Sequence, residues 1–219
     1  MERIKKDKFV CTLVAILIVL IVLLIISIMM GPKYDQELLD ELNKNYELMK
    51  SDTSYMGNNI VGSSLLDNTI SNEINKRNPT HMTVKTSSHT YKVIGKIKID
   101  KLGIEYPIIS ETTDEYLKLA PTKVCGPVIN SVGNLCIAGH NYLNGRLFSR
   151  LNDLKKGDKV LLTDNNDKTL EYTVYDKFKA KQDDLSALNQ DTNFETEVTL
   201  ITCTNNVEDR LIVKCRVME

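Results

Sequence analysis

Three side chains of the types that work on carbonyl groups stand out in the second half of the chain. The stretch EVTLITCTNNVEDRLIVKC, residues 197–215, carries Cys203 and Arg210, and His140 lies upstream in GNLCIAGHNYLNGRLFSRL. A guanidinium beside a thiol favours the thiolate, the nucleophilic form. Its planar donors also hold an oxyanion or dock a peptide carbonyl. An imidazole within reach supplies the proton donor and acceptor that such chemistry needs.

The elements that must position these groups follow from alternation. Val198, Leu200 and Thr202 share one strand face, and Thr199, Ile201 and Cys203 share the other. Cys203 closes that strand before TNNVED, whose Asn pair and acids favour a loop. The returning strand begins at Arg210. Pairing across the loop brings Cys203 and Arg210 to its mouth, within cross-strand reach of roughly 5 Å. Leu211, Val213, Cys215 and Val217 form the apolar face of that strand, so Cys215 is expected in the core. His140 follows a predicted strand and the turn-permitting Gly139, and strand ends are where scaffolds present chemistry. Spacing leaves the assignment open. A cysteine closing a strand and a histidine in a loop also serve as plain structural residues, and 63 intervening positions say nothing about distance.

Further strands are expected at 91–109 (with a turn at Asp100–Gly103), 134–139, 159–164 and 170–180, with single helical turns in 147–154 and 183–188. In 91–109, Val93, Gly95, Ile97 and Ile99 alternate with basic residues, which reads as one buried and one solvated face. Many short strands and little helix predict a mainly β domain, a compact barrel or sandwich over 91–219, large enough to bury its own core. Residues 51–90 are rich in Ser, Asn, Thr and Gly and read as a flexible spacer. Before them, Leu38, Leu39, Leu42, Tyr46 and Met49 recur at helical spacing, a short amphipathic stalk, so 31–90 is taken as stalk and linker.

The N-terminus adds a location. Residues 9–30 contain no charge and as a helix would reach roughly 33 Å, close to a bilayer's hydrocarbon thickness. Arg3, Lys5, Lys6 and Lys8 precede the run, whereas Lys33 follows it, which predicts a cytoplasmic tail at 1–8, an uncleaved single-pass anchor and the bulk of the chain outside the cell. A formal net charge of -1 and the lack of a basic stripe exclude nucleic acid as an expected partner. Four of the five cysteines, Cys125, Cys136, Cys203 and Cys215, fall beyond the anchor. Cys125 and Cys136 lie eleven residues apart and could pair, with two free thiols the favoured expectation.

TLITC followed seven residues on by Arg210, with IAGHN upstream and the opening GKIKIDKLGIEYPI, resembles the sortase family, over essentially all of 91–219. The resemblance implies a sortase-like eight-stranded β-barrel in a membrane-anchored cysteine transpeptidase of Gram-positive type. It implies Cys203 as nucleophile, His140 as acid and base, and Arg210 as stabiliser of substrate and oxyanion. It implies an LPxTG-like sorting signal cut between Thr and Gly, and a cell-wall amine as acceptor. Thr202 and Asn141 are candidates for the substrate pocket or for orienting His140. Asn134 and Asn144 read as turn residues. With no second hydrophobic segment after 217 and no long insertion between His140 and Cys203, a class D-like or class A-like member is expected. Calcium occurs in part of the family. Glu111, Asp114 and Glu115 are the acidic candidates here, but they read as a solvated loop, so no metal or other cofactor is assigned. The rival readings are a hydrolase of wall peptides using the same three residues and a non-catalytic surface binding module.

Overall fold

The structure, a computed structural model, describes residues 17, 20, 21, 33, 35–51, 81–142, 144–204 and 208–218. Apart from Leu17, Leu20 and Ile21, the expected anchor at 9–30 lies outside the described residues, as does most of the expected spacer. Among the described residues no helix is long and apolar enough to cross a membrane.

Among the described residues, nine strands follow a helix at residues 35–51: β1 (Met82–Lys85), β2 (Thr90–Ile99), β3 (Ile104–Ile109), β4 (Thr122–Cys125), β5 (Gly133–Ala138), β6 (Lys159–Asp164), β7 (Thr169–Lys181), β8 (Thr196–Cys203) and β9 (Asp209–Val217). Their order is β1-β2-β3-β4-β5-β8-β9-β7-β6, and β6 pairs back onto β2. Strands β2 to β9 therefore close an eight-stranded barrel, with β1 added along the free half of β2. Closure removes sheet edges and leaves an interior that side chains must fill. Ile97, Ile99, Leu135, Ile137, Leu162, Val198, Leu200, Val213 and Cys215 do so.

Strand β2 departs from the expected alternation. The register shifts between Val93 and Gly95, and such a one-residue shift moves the following side chains to the other face. Ile94, Ile97 and Ile99 enter the barrel, whereas Tyr91 and Val93 point outward into a second cluster. The bulge needs glycine: a Cβ at Gly95 would lie 2.3 Å from the Thr163 carbonyl oxygen. Val93, Ile94 and Gly95 are thus buried in succession.

What covers the outward face is the helix at 35–51. Leu39, Leu42 and Tyr46 pack with Met82, Val84, Tyr91, Val93 and Ile109, while Met49 stays at the surface. The Tyr46 hydroxyl donates to Asn165 Oδ1 at 2.8 Å, and Lys96 pairs with Glu47 at 2.7 Å. The expected stalk is therefore docked on the barrel wall. The spacer range also holds β1, which pairs with β2 from Met82↔Val93 to Lys85↔Thr90.

Candidate active site

The site is built at the ends of three neighbouring strands. Cys203 and Arg210 are direct partners across β8 and β9. The Thr204 amide donates to the Asp209 carbonyl at 3.1 Å, which makes 203/210 a non-hydrogen-bonded pair, the kind whose side chains stand closest. On the other side β5 runs parallel to β8 with Ala138 opposite Ile201, and the Gly139 amide donates to the Ile201 carbonyl at 3.0 Å. Continuing that register by two residues sets His140 beside Cys203. The registers thus set the backbones of His140, Cys203 and Arg210 in one row across the ends of three adjacent strands, which lie about 4.8 Å apart.

Two side chains tie the ends of that row together. Asn141 Nδ2 donates to the Cys203 carbonyl at 3.0 Å, joining the loop after His140 to the end of β8. Thr202 is buried on the face opposite Cys203, as its alternation requires, and its hydroxyl donates to the Gly139 carbonyl at 2.7 Å. Thr202 therefore fixes the backbone immediately before His140.

Gly139 is needed for a different reason from the expected sharp turn. Its backbone is not in the left-handed region, but an added Cβ would sit 2.7 Å from the Phe148 ring. Phe148 is wholly buried, and its amide donates to the His140 carbonyl at 3.1 Å. The loop that presents His140 is held down by this aromatic plug.

The electrostatics of His140 come from elements remote in sequence. Burial pulls its imidazole below the ordinary value, the Lys118 ammonium adds to that, and Asp114 opposes both. Lys118 and Asp114 belong to the short helix Asp114–Leu119, capped by the Thr113 side chain. Tyr142 lies with its ring centroid 5.1 Å from that of His140 and donates to the Lys118 carbonyl at 2.9 Å. Lys118, Tyr142 and Phe148 were not singled out from sequence, and Asp114 was named only as a residue of a solvated acidic loop.

Cys203 also forms part of the wall of a cavity of about 460 Å³, together with Asn141, Phe148, Ser149, Thr202 and Asp209. Cys215 is fully buried and faces the barrel core, as expected, with its thiol pushed up by burial. Asn134 is corrected: it is a buried strand residue, donating to the Ala187 and Asn189 carbonyls at 2.9 and 3.0 Å and accepting from the Thr199 hydroxyl at 2.7 Å. Asn144 does serve its turn, accepting from the Arg146 amide at 3.0 Å. Glu111 pairs with Lys92 and Glu115 with His89. Among the described residues no group of three His, Cys, Asp or Glu side chains could hold a metal ion.

Comparison with known proteins gives a consistent result. The family model described as Sortase domain matches residues 97–218. Sortase A of Bacillus anthracis is 34% identical over 113 residues, 51% of this chain and 52% of that protein. Sortase A of Streptococcus agalactiae serotype III is 32% identical over 139 residues, 60% of this chain and 56% of that protein. The chain spans about half the length of these curated relatives. Among solved structures, sortase C1 from Streptococcus agalactiae superposes with a TM-score of 0.52 at 28% identity, over 58% of this chain and 68% of that one. The Clostridium perfringens sortase D5 transpeptidase gives 0.56 at 22% identity, over 84% and 98%, a likeness of fold.

Proposed function

The chain belongs to the sortase family, and on that premise we propose that it is a cysteine transpeptidase that moves exported proteins onto a cell-wall amine. The observation that carries this reading is the row His140–Cys203–Arg210 at the ends of β5, β8 and β9. The substrate is an LPxTG-like sorting signal. The Cys203 thiolate attacks the Thr carbonyl, and the C–N bond to Gly breaks to leave a thioester, which divides one difficult acyl transfer into two easier ones. Protonated His140 gives its proton to the departing Gly amine, and the neutral imidazole then takes one from the incoming amine. Arg210 donates to the carbonyl oxygen as negative charge develops on it. Asn141 and Thr202 position the ends of the row. The segment 9–30 anchors the chain in the cell membrane with its N-terminus inside. The class is A-like or D-like.

An LPxTG-type peptide offered with and without an amine tests the reading. The wild-type full chain should give a thioester-linked species and, with amine, ligated product. Cys203→Ala should reduce both to background, and surviving cleavage would remove Cys203 from the role. Cleavage without ligation at any amine concentration would establish the hydrolase instead.

A further inference from the structure

A second pair of cysteines lies outside the catalytic row. Cys125 in β4 and Cys136 in β5 are direct Cα partners in an antiparallel pair. Side chains directly opposed in such a pair leave the sheet on the same face, with Cα atoms about 4.5–5.5 Å apart, inside the roughly 4.4–6.8 Å span of a disulfide. Both thiols are free, Cys136 buried and Cys125 partly exposed, and Cys125 is within hydrogen-bonding reach of Cys136. Gln190 Nε2 lies 3.9 Å from Cys125 Sγ and also donates to the Asn134 carbonyl at 3.0 Å.

The pair joins β5 to a strand whose other side is the most lightly paired seam of the barrel. β4 has four residues and meets β3 through the single partner pair Ile109↔Thr122. Its pairing with β5 is interrupted by a register shift between Lys123 and Cys125. A strand held so lightly is where local opening begins, and β5 is the strand that leads into His140.

We propose that Cys125 and Cys136 form a reversible intrachain disulfide on meeting a low-molecular-weight disulfide, and that this bond locks β4 onto β5. Cys125, the accessible thiol, attacks the small disulfide as thiolate and releases one small thiol. Cys136 then loses its proton and displaces the second small thiol from Cys125. Two thiols are oxidised and one disulfide is reduced, so electrons balance. Burial holds the Cys136 thiol up, so closure is the slow step and quickens as pH rises.

The test uses the full chain in detergent, as Cys203→Ala so that the other partly exposed thiol is removed, incubated with oxidised glutathione. Trypsin leaves both cysteines in the peptide 124–146. That peptide should resist alkylation, run two hydrogen masses light, and recover on treatment with dithiothreitol. The oxidised protein should melt about 5–10 °C higher, and adding Cys125→Ser should abolish the shift. The proposal is overturned if both cysteines still alkylate, if Cys125 keeps glutathione as a mixed disulfide, if Cys136 pairs with Cys215, or if the bond forms without raising the midpoint.

Discussion

Protonation of His140 governs both halves of the proposed reaction, and its neighbours disfavour it. Burial is the larger cause and Lys118 the next, with Asp114 pulling the other way. Replacing Lys118 by Met removes one of the two opposing influences. An NMR titration should then find the His140 transition moved upward, toward the ordinary value of roughly 6.5; an unmoved transition would separate the two groups. The sign for stability follows. With the folded value below the unfolded one, the unfolded chain binds more protons between them, so stability rises with pH across that window. Lys118→Met should flatten that rise. At this scale the sequence showed the thiol, the guanidinium and the imidazole, because strand alternation and a short loop constrain Cys203 and Arg210 locally. It could not show Lys118, Asp114 or Tyr142 acting on His140, since their proximity depends on how the short helix folds back. Asn134 was misread because an asparagine after a Gly looks like a turn until its carbonyl partners at 187 and 189 are in place.

At the scale of elements, the longer strands were legible, and the shortest strands and the bulge in β2 were not. β6 was expected over its observed range and β5, β7, β8 and β9 to within a residue at each end, since each has several alternating or continuous apolar positions. β4 has only four residues between Pro121 and Gly126, too few for a period to emerge. The bulge at Gly95 was invisible for a related reason: alternation in sequence continues across it while the faces change. The plug beneath His140 makes a sharper prediction. Gly139→Ala places a methyl group where the Phe148 ring sits, and overpacking of this kind costs about 1–3 kcal/mol. Urea unfolding should register that loss, and ligation by the full chain should fall by about tenfold or more as His140 is displaced. Phe148→Leu in the same chain should restore part of the rate, whereas a merely destabilised fold would worsen.

For the whole molecule, the helix at 35–51 adds an outer layer to a barrel that already has its own core. Leu42 is fully buried between that helix and the barrel. Truncation to Ala in such a position costs about 2–5 kcal/mol if the contact is part of the global fold. If the helix opens by itself, the cost is limited to its own docking energy. Hydrogen exchange by mass spectrometry distinguishes the cases: Leu42→Ala should speed exchange in 35–51 and β1 while leaving β8 and β9 protected. The docking was not legible because an amphipathic stripe reports a buried face without naming what buries it.

That layer also sets a distance. Burial raises the Tyr142 phenol and Asp35, at the start of the helix, is close enough to add to that, and the Tyr142 ring lies tilted beside His140. Between the proposed anchor and Asp35 there are four residues, which extend to at most about 14 Å. If 9–30 lies in the bilayer as proposed, the row of His140, Cys203 and Arg210 would be leashed close to the lipid surface. On the proposed function, the sorting signal and the cell-wall amine would then have to reach the row in the thin zone beside the headgroups.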